Sequence, residues 1–192
     1  ILSDYLSKNI STHFSIRYLG QYFSEYILRK RELNNAKCYA DLARFEWALI
    51  HAIDAQDGSP ITLKYLQNLS PEQWPDLTVC RHTSVTLKQT TTDVIQFYSA
   101  FCQGDEAQSI IQSRKNDTNY WLIWRYDQAI QYRACDEAEY VALLILEQAC
   151  SIGEFAARIE EDNSTKGIVT DPQQLAVWIQ QWAQEGLLIS PE

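Results

Sequence analysis

Apolar positions in the first third of the chain recur at helical period. Leu19, Tyr22, Phe23, Tyr26 and Ile27 stand at i, i+3, i+4, i+7 and i+8, the single stripe of one amphipathic helix. Arg29, Lys30 and Arg31 follow where its last turn meets the negative end of the helix dipole. Asn34 and Asn35 interrupt the pattern. A second helix is predicted from about Tyr39 to Ala55, with Leu42, Phe45, Leu49 and Ile53 on one side and a stop at Asp57-Gly58. A third is expected to begin near Ser59-Pro60 and to carry Leu63, Leu66 and Leu69. Ser70, Pro71 and Gln73 then supply the N-cap, N1 and N3 residues of a short turn.

The texture changes at Val79. Val85 and Leu87 alternate with polar residues between Thr83 and Thr90, which predicts a strand. Asp93 to Ser113 returns to helical character through Val94, Phe97, Tyr98, Phe101, Ile110 and Ile111, and Arg114 to Asn119 is a polar loop. Two β-rich runs come next, Tyr120 to Tyr126 and Ala129 to Ala134, joined at Asp127-Gln128 as a hairpin, although the tight turn prefers Gly second. The first run is apolar on both faces apart from Arg125, the pattern of a strand covered on both sides. The second is more mixed and suits an edge.

Three helices with clear starts follow. Asp136 with Glu139, Ser151 with Glu154, and Asp171 with Pro172 and Gln174 each set a capping residue three positions before an acidic or amide side chain. Residues 148–151 leave a tight turn between the first two helices. The third runs through Leu175, Trp178, Ile179 and Trp182 to Gly186 and feeds a short strand, Leu187 to Ser190. This is the element order of a winged helix-turn-helix relative. The expected fold is therefore α+β: an N-terminal all-helical domain over residues 1–78, then a winged-helix-like domain of hairpin and three helices over 79–192.

Composition sharpens the picture. Apolar residues make up 46% of the 192, with only 6 Gly and 5 Pro, so the chain folds. Its net charge of -9 is unevenly spread: residues 1–96 hold 10 basic and 10 acidic side chains, residues 97–192 hold 6 and 15. A surface that neutralises phosphates needs the opposite balance, whereas an acidic second half suits a basic partner. Cys38, Cys80, Cys102, Cys135 and Cys150 are odd in number and never in CxxC spacing, the usage of reduced thiols in a cytoplasmic protein. The longest apolar run, Tyr140 to Leu146, is far short of the ~20 residues of a membrane span, and no signal peptide is expected. The chain starts at Ile1 and contains no Met, which leads one to expect a trimmed start.

Chemistry finds little purchase. His13, His51 and His82 lie far apart, and HExxH, paired-Cys, GxxxxGK[ST], GxGxxG and GxSxG patterns are all missing. Glu160, Glu161 and Asp162 have no accompanying His and fit a solvated helix end. No catalytic or metal-binding residue is nominated. What remains is a binding module centred on the hairpin, where an edge strand offers unpaired N–H and C=O groups to an extended peptide. The candidate binding residues are Ile130, Gln131, Tyr132 and Arg133, with Trp178 and Trp182, one turn apart, either walling the groove or sitting in the core. The alternatives are a helix-turn-helix DNA-binding regulator and a free-standing enzyme. The helix that would enter the major groove, Ser151 to Asp162, carries Arg158 against four acids, which weighs against DNA.

Three runs in this order and spacing, DLARFEWALIHAIDA (Asp41 to Ala55), WLIWR with QYR (Trp121 to Arg125, Gln131 to Arg133) and WIQQWAQEGLL (Trp178 to Leu188), resemble the HvfC/BufC family, long labelled a DNA-binding domain. The likeness spans about Phe14 to Ile189. General HvfC-type members carry a longer helical stretch before the first run, so this chain is most similar to the shorter MbnC-like type of methanobactin biosynthesis. The resemblance implies a non-catalytic subunit in a heterodimer with an MbnB-type, iron-dependent oxygenase. Such complexes convert Cys of a ribosomally made MbnA-type precursor peptide into oxazolone and thioamide, the ligands of a copper chalkophore. It further implies that the C-terminal part binds a Lys-rich leader as an added strand and that the iron belongs to the partner with no cofactor in this chain; the charge balance and the short apolar runs lead one to expect neither nucleic acid nor membrane as a partner.

Overall fold

In the computed structural model, which describes residues 1–10, 16–104, 118–166 and 172–191, the fold is α+β. In chain order the elements are α1 (Leu2–Lys8), a 3-10 helix (Ile16–Gly20), α2 (Phe23–Leu28), α3 (Ala36–Ile53), β1 (Ser59–Pro60), α4 (Leu63–Gln67), β2 (Thr78–Arg81), β3 (Thr86–Thr90), α5 (Val94–Gln103), β4 (Asn119–Tyr126), β5 (Ala129–Cys135), α6 (Glu137–Ile145), β6 (Cys150–Ser151), α7 (Ile152–Lys166), α8 (Pro172–Glu185) and β7 (Leu188–Ser190). The chain divides into two units, each discontinuous: Ile1–His51 with Gln89–Asn119, and Ala52–Lys88 with Tyr120–Glu192. These boundaries differ from a division at 78/79, because residues 52–88 supply strands to the second unit.

The regular structure described in the first unit is helical apart from the strand ends Gln89, Thr90 and Asn119. The apolar stripe from Leu19 to Ile27 does not form one helix. It splits into the 3-10 helix, which ends at Gly20, a poor helix former, and α2, with Gln21 and Tyr22 turning between them. Tyr5 of α1 is buried, meets Phe23 and Tyr26 edge-on at 5.0 and 5.2 Å, and donates its hydroxyl to the Leu19 carbonyl at 2.5 Å. Beside it Asp4 accepts from Tyr26 and pairs with Lys30 (2.6 Å) and Lys8 (2.7 Å), which hold its carboxyl well below the usual range. Lys30 thus serves α1 rather than the end of its own helix. On α3, Cys38 and Phe97 of α5 form a small buried cluster flanked by Tyr39 and Leu42. Asp93 caps α5 by accepting from Gln96 N–H at 3.0 Å, and Gly104, with φ +85, ends it at Gln103; the rest of the stretch predicted to Ser113 lies outside the described residues. Ile110, Ile111 and most of the predicted loop lie outside the described residues, as does the capping residue Asp171.

Two sheets build the second unit, in which β1/β7, β2/β7, β2/β6 and β4/β5 pair antiparallel. One has the order β1-β7-β2-β6, the other β3-β4-β5. Ser59-Pro60, expected to start a helix, forms β1 at the edge of its sheet, where a Pro without an N–H is tolerated. The helix begins later, with Thr62 accepting from Tyr65 N–H at 3.1 Å. β2 sits between β7 and β6 and buries Val79 completely. The starts of α6 and α7 are as the sequence predicts: Asp136 accepts from Glu139 N–H at 2.7 Å, and Ser151 and Glu154 cap reciprocally at 3.1 Å each way. Gly186 (φ +71) closes α8 with the Tyr126 ring against it, leaving no room for a side chain. Between the helices and the sheets lies the core, including Leu122, Trp124, Leu143, Leu146, Phe155, Ile159, Trp178, Trp182 and Leu188.

Candidate functional site

The hairpin β4-β5 pairs from Tyr120↔Cys135 to Tyr126↔Ala129. Its turn is Asp127-Gln128, both with positive φ (47° and 62°), the conformation that a two-residue hairpin requires and that Gly would adopt without strain. β4 is the middle strand, and Trp121, Leu122, Ile123 and Trp124 are each 5% exposed or less, the covered strand that the apolar run predicts. Trp124 donates its Nε1–H to the Glu185 carbonyl at 2.7 Å.

β5 is the terminal strand of its sheet among the described residues. Gln131 and Tyr132 are exposed, Ile130 and Arg133 half-buried. Exposed acids stand at both ends of the strand: Asp127 in the turn before Ala129, and Asp136 and Glu137 directly after Cys135. The site thus combines a sheet edge, a solvent-facing Tyr and flanking negative charge, which suits an extended cationic peptide.

Arg133 is already engaged. Its guanidinium donates to both oxygens of Glu139 (2.5 and 2.9 Å) and to both of Glu185 (2.9 and 3.1 Å). Burial lowers its proton affinity, but the hydrogen bonds from the two carboxylates outweigh burial and raise it. Glu139 also accepts from Trp182 Nε1–H at 2.8 Å, and Glu185 from Gln181 at 3.0 Å. Arg133 therefore anchors β5 to α6 and α8 rather than facing a ligand.

Trp178 and Trp182 do not wall a groove. They stack at 5.7 Å, are 5% and 0% exposed, and belong to the core, with Trp182 fixed by Glu139. Of the six sequence-nominated residues, Ile130, Gln131, Tyr132 and Arg133 share β5, while the tryptophans lie beneath. Cys135 at the end of β5 is held protonated, its pKa pushed up to about 12 by burial and by Glu139. Among the described residues no group of three His, Cys, Asp or Glu could hold a metal ion, and no helix is long and apolar enough to cross a membrane.

Sequence reasoning missed what steadies the tip of the hairpin. Arg125 donates to the Ile53 and Ala55 carbonyls at 2.6 and 3.0 Å and to Asp57 at 2.5 Å. The signal was present: a lone charge in a strand covered on both faces must be paired. No protein-family model matches the chain, and no curated protein does.

Proposed function

We propose that this chain is a non-catalytic, peptide-recognising partner subunit whose winged-helix-like part, the hairpin with α6, α7 and α8, receives a basic leader peptide as an added strand along β5. The observation that carries the reading is the terminal strand itself, with Gln131 and Tyr132 exposed and acidic residues at both ends. On the resemblance to MbnC-like proteins, the partner is an MbnB-type iron oxygenase and the substrate an MbnA-type precursor whose Cys become oxazolone and thioamide. The chemistry would then reside on the partner.

Charge supports peptide over duplex. The helix that would dock in a major groove, α7, carries Glu154, Glu160, Glu161 and Asp162 against Arg158 and Lys166, and phosphate would be repelled by it. The decisive experiment titrates a Lys-rich precursor leader into the protein alone and in complex with its oxygenase. A leader N-methylated at alternate amides, which cannot form the strand ladder, should lose binding, and affinity should fall as salt rises. Absence of leader binding in both settings rejects the reading, and tight duplex binding near physiological salt replaces it with the regulator.

A further inference from the structure

At the tip of the hairpin a cleft of about 680 Å³ opens, lined by Asp57, His82, Arg125, Tyr126 and the strained turn Asp127-Gln128. It differs from the β5 edge in being concave and in holding a buried imidazole. His82 is 8% exposed. Ser84 N–H donates to its Nδ1 at 3.1 Å, and the Ser84 hydroxyl, which itself accepts from Arg125 N–H at 3.0 Å, lies 2.7 Å from the same nitrogen. Nδ1 is thus an acceptor, which puts the single ring proton on Nε2 and keeps the imidazole neutral. Both hydrogen bonds of the ring fall on Nδ1 and His82 lines the cleft, so this nine-tenths-buried residue supplies the cleft with the Nε2–H as a donor.

The remaining charges select the ligand. Arg125 is occupied by two carbonyls and by Asp57, while Asp57 and Asp127 are exposed and leave the cleft net negative. An anion would meet both carboxylates. A divalent ion would want several acidic or imidazole ligands together, and no such group exists among the described residues. Tyr126, 45% exposed as a residue, lines the same cleft and adds an aromatic side chain for an organic cation. One ligand satisfies all of this: a residue with a carbonyl for His82 and a cationic head for the two acids.

We infer that the cleft binds a single lysine or arginine residue of an extended peptide, its backbone carbonyl accepting from His82 Nε2–H and its ammonium or guanidinium lying between Asp57 and Asp127 beside Tyr126. This rests on the strand-addition reading, because β5 starts at Ala129, immediately after the turn that lines the cleft, so a peptide paired along β5 runs off at its mouth.

The test uses the full chain and four probes: acetyl-Lys-Thr-Lys-Val-Lys-Thr-Lys-amide, its form N-methylated at alternate amides, forms with one Lys replaced by norleucine, and spermidine. The readouts are the dissociation constant and the imidazole NMR signals, of which His82's is identified with His82→Gln. The lysine peptide should bind and move the His82 signal. One norleucine position should weaken binding about tenfold, and Asp57→Asn with Asp127→Asn should do the same and abolish that positional preference. Both aspartates are exposed, and Asn tolerates the positive φ at 127, so folding is retained. If binding is lost on N-methylation yet indifferent to the aspartate substitutions, the cleft assignment fails and strand addition stands. If the lysine peptide does not bind at all, both fail. If spermidine moves the His82 signal as strongly as the peptide does, the cleft serves free polyamines and the peptide assignment is overturned.

Discussion

Two arginines hold the same hairpin from opposite ends, and they are held differently. Arg133 is gripped by four carboxylate oxygens on Glu139 and Glu185, side chains only 8% and 23% exposed. Arg125 is taken up by two backbone carbonyls and by Asp57, whose side chain is 95% exposed. A pair withdrawn from water is costly to break because the survivor is stranded, whereas an exposed pair exchanges easily with solvent. One end of the hairpin is fixed by carboxylates withdrawn from water, the other by backbone carbonyls and a solvent-exposed carboxylate.

The sharpest way to break this contrast is Glu139→Ala, which leaves Arg133 with Glu185 as its one carboxylate partner and Trp182 Nε1–H without its acceptor. It should cost about 3–5 kcal/mol in urea unfolding. A loss below about 1 kcal/mol would put the two arginines on equal footing.

Gly186→Ala comes next, at about 1–3 kcal/mol, since φ is +71 and a Cβ there would lie 2.2 Å from Tyr126 Cδ2. Adding Tyr126→Ala removes the clash but not the backbone strain, so thermal unfolding of the double variant should recover only part of the loss. Asp136→Ala removes the α6 cap at the Arg133 end and should cost about 1 kcal/mol. At the other end, Asp57→Asn should change stability by less than about 1 kcal/mol, because the pair is exposed.

The smallest effect is a pH dependence at the Arg125 end. Burial, then the charge of Arg125, lower the pKa of His82 from its ordinary 6.5, with Asp57 opposing. Below pH 6.5 the unfolded chain therefore takes up a proton that the folded ring resists. His82 supports stability above that value and withdraws the support as pH falls. The stability difference between the wild type and His82→Gln should shrink or reverse on going from pH 7 to pH 5.

What could be read from sequence follows the range of the interaction. The caps at Asp136 and Ser151 were legible because acceptor and donor stand three residues apart. The hairpin was legible because its turn and both strands are contiguous. β1 and β2 were not: strands of two and four residues are too short for a period to declare itself, and Cys80 finds Ile189 only across 109 positions. At the candidate site, the mixed pattern of β5 gave its edge character. Trp178 and Trp182 could equally have lined a groove, since what buries them, including Glu139 on another helix, is set by the tertiary fold. His82 carries no spacing signal, and the Ser84 hydroxyl that it contacts also accepts from Arg125 N–H, a meeting set by the tertiary fold.

The central position of β7 bears on how the protein is made. β2 has both its neighbours, β6 and β7, downstream in the chain, and β1 has only β7. A nascent chain that has emerged as far as α8 still lacks the strand that joins β1 to β2. Val79 can find Cys150 by then, but Ser59-Pro60 waits for Leu188–Ser190. The β1-β7-β2 part of the sheet therefore cannot be completed before that strand is synthesised, and its pairing closes a long loop, which carries an entropic cost.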